Sequence, residues 1–479
     1  MTSDAGARTG SHNPRPPAAP GIFSAGYLWA TIGSCALVFL SAFESLAVTT
    51  IMPLVSADLD GAALYAFAFA GPLATGVIGM VVAGNWSDRI GPIAPLLTSV
   101  ALFIVGLIIA GLAPDMTVFL LGRLVQGLGS GAMNVALYVV VARIYPAALH
   151  ARIFAGFAAA WVVPSLVGPF AAGVVAELTS WHWVFLGVVV LVLIAMLMVV
   201  PALRMLRGGE QPDLAARPAW AIGKIGWAVL AAAAVLGLNL SARLDGALVG
   251  VVAVAAVVIA LVAVRPLLPT GTLRAERGLP SVILLRGLIS AAFFGTEVYI
   301  PYLLTDRYDY SAALSGLALT GAALTWAGAS WIQGRLDSTL SSVNAMRIGT
   351  VLVLLAILSA VATAAFELSP LVVIGGWLLG GGGMGLMYPR LSVMTLSYST
   401  DRNQGFNSSA LSISDSLGGA LALASTGIVF AALVGLGGAW PFAGCFLLAA
   451  AISAATLGLG SRVGTGVRAV AASDGPHGS

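Results

Sequence analysis

Four ionisable residues stand where ionisable residues are expensive. Arg123 is alone in an apolar run from Thr117 to Ala142, inside Leu121-Gly122-Arg123-Leu124-Val125-Gln126-Gly127-Leu128-Gly129-Ser130-Gly131. Glu44, Glu297 and Asp415 lie in comparable runs. A guanidinium at the centre of a membrane span costs roughly 2.5–3.5 kcal/mol on insertion scales. Such a group faces a bundle interior or a watery cavity, usually beside an acid, and marks a transport pathway. A carboxyl group in low dielectric favours its protonated form, and a nearby guanidinium favours the charged one. An acid under both influences can take and release protons as its partner moves. Glu44 is the first candidate for that role with Arg123, Glu297 the second, and Asp415 the third. A static structural ion pair is the competing reading of Glu44.

Depth places these groups together. At ~1.5 Å rise per residue, Glu44 lies about 21 Å from a start near Ala30, and Arg123 about 9 Å from an opposite boundary near Thr117. In a ~30 Å core these are nearly the same level. Glu297, about 24 Å from a start near Ser281, is similar. Phe43, Gln126, Tyr299 and Tyr302 are expected to line the same cavity, although aromatic residues in such runs often only pack. Glu297 could also contact a cationic substrate. Arg286 and Arg390, near span ends, are expected to snorkel to the interface. Asp415, among Ser412, Ser414 and Ser416, is expected to find its hydrogen bonds there.

The elements that must hold these groups follow from composition. Of 479 residues, 59% are hydrophobic and 9% charged, against about 25% charged in soluble domains. The chain reads as an all-α polytopic membrane protein. Fourteen runs reach the ~20 residues needed to cross a bilayer. Seventeen of the 22 Lys and Arg fall on one side of the resulting topology, which places both termini in the cytoplasm. Residues 1–25 and 463–479 read as disordered tails. A net charge of +3 gives no sign of nucleic-acid binding. Cys35 and Cys445 suggest neither disulfide nor metal site. No phosphate-binding loop is visible, so direct use of ATP is not expected, and no cofactor is implied. The scattered His12, His150, His182 and His477 offer no catalytic or metal cluster, which argues against a polytopic membrane enzyme. The preponderance of Arg, with Lys224 the single lysine, suggests a GC-rich bacterial genome and hence the inner (plasma) membrane.

An internal repeat orders the spans. Gly127, Gly129, Gly131 and Met133 match Gly381, Gly383, Gly385 and Met387 at an offset of 254. Glu44 matches Glu297 at 253, and Ser165, Leu166 and Gly168 match Ser416, Leu417 and Gly419 at 251. Two six-helix halves, 26–207 and 278–462, would explain this, with 208–277 a linker carrying an inserted helix pair. The glycines read as packing positions for close helices. Gly168-Pro169 should kink or hinge its helix.

Through four segments, Gly84 to Gly91, Arg123 to Gly131, Gly168 to Gly173 and Glu44 to Pro53, the chain resembles the major facilitator superfamily, and more narrowly its drug/proton antiporter branch with fourteen spans. Gly84-Asn85-Trp86-Ser87-Asp88-Arg89-Ile90-Gly91 resembles the loop signature between spans 2 and 3. Arg123 to Gly131 resembles the proton-coupling signature of span 4. Gly168-Pro169-Phe170-Ala171-Ala172-Gly173 resembles the exporter signature of span 5, and Glu44 with Thr49, Thr50 and Pro53 the acidic signature of span 1. Pro92 and Ile93 replace the basic pair usual after Gly91, and Ala420 stands where a second exporter motif would need proline. The resemblance implies a major facilitator fold acting as a monomer, with proton-coupled export of a lipophilic or cationic small molecule by alternating access. It also implies a conformational switch at Gly84, Asp88, Arg89, Gly91, Gly168 and Pro169. Asp88, read as lying on a short turn, would accept hydrogen bonds from a helix N-terminus. A lipid or cell-envelope metabolite transporter of the same fold is the alternative, and a passive channel fits kinked helices and buried acids less well.

Overall fold

The computed structural model describes residues 21–24, 26–207, 219–241, 247–335, 340–400 and 403–464. Most of both expected tails, with His12 and His477, lies outside them, as do Arg243 and most of the linker ahead of the inserted pair. All regular structure among the described residues is helical. The first six spans are α1 (Leu28–Asp58), α2 (Phe67–Ile90), α3 (Ile93–Gly111), α4 (Met116–Ile144), α5 (Ala147–Leu178) and α6 (His182–Arg207). The inserted pair is α7 (Ile222–Ser241) and α8 (Ala247–Val264). The last six spans comprise α9 (Leu279–Glu297) with α10 (Tyr299–Tyr308), α11 (Ala312–Arg335), α12 (Ser342–Ala365), α13 (Pro370–Ser397), α14 (Gln404–Leu433) and α15 (Trp440–Leu457). That makes 14 helical stretches, among the described residues, long and apolar enough to cross a bilayer.

The halves repeat one packing plan. In the first, α1 packs on α5 and α6, while α4 packs on α2 and α3. In the second, α9 packs on α14 and α15, while α13 packs on α11 and α12. The repeated glycines explain why. A Cβ on Gly127 or Gly131 would strike Pro72 or Gly76 of α2, and one on Gly129 would strike Phe103 of α3. Correspondingly, Gly381 and Gly385 abut Ala322 and Trp326 of α11, and Gly383 abuts Gly349 of α12. Alternate glycines of one helix thus admit two neighbours at backbone contact.

The helix ends define two sides: a basic side, where Arg89, Arg143 and Arg335 lie in last turns, and a distal side. On the distal side the halves are joined. Tyr65 donates to the carbonyl of Val298 at 2.7 Å and stacks on Tyr302 at 4.6 Å. Glu177 accepts from the backbone N–H of Ala313 at 2.7 Å, a carboxylate at the positive end of α11. Gly173 lies against Ala313, and Gly316 against Pro169 and Thr50.

The ninth span, expected as one helix, is two. Pro301 has no N–H to give to the carbonyl of Glu297 four residues earlier, and the helix breaks between α9 and α10. Helix α5, by contrast, runs through both Pro164 and Pro169.

Candidate functional site

Arg123 and Glu44 meet. The Arg123 Nη1 donates to Glu44 Oε1 in a short contact, and to Gln126 Oε1 at 2.5 Å. Their side chains are only 5% and 6% exposed. The third partner comes from α2. Pro72 cannot donate to the carbonyl of Ala68 one turn earlier, and that orphaned carbonyl accepts from Arg123 Nε at 3.1 Å. The close approach of Gly127 to Pro72 brings α4 near enough for this. Thr75 adds a tie from α2 to α4 by donating to the carbonyl of Leu124 at 2.8 Å. The guanidinium is therefore neutralised by α1 and oriented by α2 and its own helix. Gln126 is buried and occupied in holding Arg123, rather than lining open space.

A second charged cluster joins α9, α13 and α14. Arg286 forks onto Asp415, with Nε to Oδ1 at 3.0 Å and Nη2 to Oδ2 at 3.3 Å. Tyr388 donates its hydroxyl to Asp415 Oδ1 at 2.7 Å, and the Arg286 guanidinium lies 3.4 Å from the centroid of the Tyr388 ring. Ser290 donates to the carbonyl of Asp415 at 2.9 Å. This pair is more open, with side chains 14% and 26% exposed. It corrects two expectations. Arg286 does not snorkel, because Asp415 offers a fork inside the bundle. The neighbouring serines do not serve Asp415: Ser412 and Ser414 donate to the carbonyls of Ser408 and Ile283. Arg390 does not snorkel either; it is 3% exposed and donates to the carbonyl of Leu340 at 2.5 Å.

Glu297 ends α9 at the helix break and is half-buried. No hydrogen bond or ion pair to it occurs among the described residues. Tyr299 and Tyr302, expected to line the cavity with it, instead belong to the distal plug. Tyr299 is buried and stacks on Phe430 at 5.6 Å, and Tyr302 stacks on Tyr65 and Phe430. Adjacent to the break, the rings gain more from aromatic packing than from facing space.

The expected switch residues also find places. Gly84, Asp88 and Arg89 lie inside α2, not on a loop, and only Gly91 turns the chain, at φ +90°. The helix-end hydrogen bonds expected for Asp88 are not among its contacts in the described residues; Arg143 of α4 is its charged neighbour. Arg143 also donates to the carbonyl of Ser87 at 3.4 Å, so the motif ties α2 to α4 within one half. Arg89 lies 5.0 Å from the ring centroid of Trp220, ahead of α7. Gly168 gives room to Phe43 of α1, and the Pro169 carbonyl lies against Gly316 of α11, so this pair sits where the halves touch. Sequence reasoning missed Pro72, Tyr388 and Pro301. A proline inside an apolar run was the available signal for the first and third. Nothing in the spacing pointed to Tyr388.

No group of three or more His, Cys, Asp or Glu able to hold a metal occurs among the described residues.

Comparison with known proteins agrees with this architecture. The chain is 26% identical over 164 residues to the multidrug efflux pump SdrM of Staphylococcus aureus, which is 34% of this chain and 37% of that one. It is 30% identical over 211 residues to a probable multidrug-efflux transporter of Mycobacterium tuberculosis, 43% of this chain and 45% of that one. The match thus spans less than half the length of each of these two relatives. Among solved structures, a POT family transporter in complex with 5-aminolevulinic acid superposes with a TM-score of 0.63 at 17% identity, covering 90% of this chain and 97% of that one. An auto-inhibited POT family peptide transporter gives 0.65 at 16%, covering 92% and 99%, a likeness of fold alone. The family model of the Major Facilitator Superfamily matches residues 34–423, most of the chain. The protein therefore belongs to the Major Facilitator Superfamily and is a multi-pass membrane transporter, not an enzyme.

Proposed function

We propose that this transporter is a proton-coupled exporter of lipophilic or cationic small molecules, working by alternating access with its basic side in the cytoplasm. The observation that carries this reading is the buried Glu44–Arg123 pair, held between α1 and α4 and oriented by Ala68 of α2. Paired with Arg123, Glu44 stands as a carboxylate whose charge is compensated. Opening of the distal seam shifts α1 and α2 relative to their neighbours and loosens that compensation. A carboxylate left without its cation in low dielectric takes up a proton. Return to the present arrangement restores Arg123 and releases the proton to the cytoplasm. The cycle thus couples inward proton flow to the opposite movement of a substrate.

The relatives described as multidrug efflux pumps support the direction and the substrate class. Glu297, unpartnered at the helix break, is the second proton-carrying group or a contact for cationic substrates. Purified protein in vesicles, loaded with ethidium and given an imposed pH gradient, tests the proposal. Gradient-driven ethidium movement that Glu44→Gln abolishes supports it; movement indifferent to the gradient refutes it.

A further inference from the structure

A cavity of about 140 Å³ opens between α1, α4 and α5, lined by Val38, Asn134, Tyr138, Phe154, Phe157 and Trp161. An apolar cavity of about 150 Å³ accepts one benzene ring. Tyr138, Phe154 and Phe157 form a cluster, with centroids 5.2 and 5.9 Å from Tyr138 to the two phenylalanines. Tyr138 and Trp161 still leave 50% and 43% of their surfaces uncovered, so both retain area for a further aromatic contact. Asn134 supplies one amide for a polar ring substituent. We propose that this cavity is a subsite for one aromatic ring of the transported molecule.

This rests on the reading of the chain as an exporter of lipophilic compounds, but it is tested without any gradient. Ethidium, a flat aromatic cation, and tetrabutylammonium, an aliphatic one, are titrated into the detergent-solubilised full chain. Tyr138→Leu and Trp161→Leu should each weaken ethidium about tenfold and leave tetrabutylammonium within about twofold. Tyr138→Phe, which keeps the ring, should bind ethidium as the native protein does. Equal loss for both cations, or ethidium binding indifferent to both leucine variants, overturns the subsite. Failure of the exporter reading looks different: ring-dependent binding persists while vesicles show no response to a pH gradient.

The inserted pair occupies a separate place, at the seam. The hydrogen bonds, ring stacks and close glycine contacts that directly join the halves among the described residues lie in the distal half or near mid-depth, the innermost being Leu73 against Gly419. At the basic side, the start of α7 touches both halves. The backbone N–H of Ala221 donates to Asn85 Oδ1 of α2 at 3.2 Å, and Trp220 faces Arg89. Lys224 lies 5.1 Å from the ring centroid of Phe406 on α14. We infer that α7 is a strut that holds the basic ends of α2 and α14 apart in this arrangement, so that closing that side requires its two cation–ring contacts to slip.

Spin labels at Ile90→Cys and Asn403→Cys, with Cys35 and Cys445 replaced by serine, report the spacing of those ends in the full chain. The combined Trp220→Ala and Lys224→Ala substitution should shift the distance distribution toward shorter values. A distribution unchanged by that substitution overturns the strut, and one broadened without any short component does so too.

Discussion

The two charged clusters solve the same problem in opposite ways. Glu44–Arg123 is nearly sealed, with side chains 5% and 6% exposed, and its arginine is fixed by a glutamine and a proline-freed carbonyl. Arg286–Asp415 is a fork with a stacked tyrosine, its side chains 14% and 26% exposed. They are also not images of each other under the internal repeat: Arg286 aligns near Gly33 and Asp415 near Pro164, not with Arg123 and Glu44. The packing plan was duplicated, while the charges were placed separately in each half. A sealed pair responds strongly to loss of a partner, since a buried charge left alone costs about 3–5 kcal/mol. An open fork can recruit water and loses less.

The sharpest break of this comparison is therefore at Arg123. Arg123→Leu leaves Glu44 buried without its cation and should abolish gradient-driven transport in vesicles. Glu44→Gln should abolish coupling as well, and leave an uncompensated guanidinium that lowers thermal stability. A stability loss no greater than that of Asp415→Asn, in thermal unfolding of the purified protein, would contradict the contrast drawn here. Next in size is Gly131→Ala, whose methyl group meets the Gly76 carbonyl. It should cost about 1–3 kcal/mol by overpacking, and Gly381→Ala, against Ala322, should cost a similar amount if the duplicated plan governs both halves. Asp415→Asn should reduce transport only severalfold, through substrate affinity rather than through gradient response, as measured by concentration dependence of uptake. The smallest effect expected is that of Pro72→Ala. It returns a helical donor to the Ala68 carbonyl, competes with Arg123 for it, and should shift stability by about 1 kcal/mol while weakening coupling.

Much of this is legible in the sequence. Apolar runs gave the fourteen spans, and glycines at matched offsets marked close helix contacts, because a span and a close contact each need particular residue types at fixed spacing. Depth put Glu44 and Arg123 at one level, and the resemblance put their helices on one cavity; the structure brings the two into contact. The partner of Asp415 did not, because Arg286 is far off in sequence and rotation about the helix axis decides which face each presents. Tyr299 and Tyr302 were misplaced for the same reason: depth put them beside Glu297, while the turn at Pro301 rotated them into the distal plug. The motif around Asp88 looked like a loop because polar residues cluster there, yet α2 runs on to Ile90 and only Gly91 breaks it. Ala68 carried no signal of its own, since its role exists only because Pro72 withholds a hydrogen bond.

The central claim is that Glu44 exchanges its cation for a proton during transport. Vesicles containing a pH-sensitive dye and no imposed gradient test it directly when ethidium is driven across by its own concentration difference. The account predicts an opposing proton movement in the native protein, and none in Glu44→Gln even where ethidium still crosses. Undiminished proton movement in Glu44→Gln would contradict it.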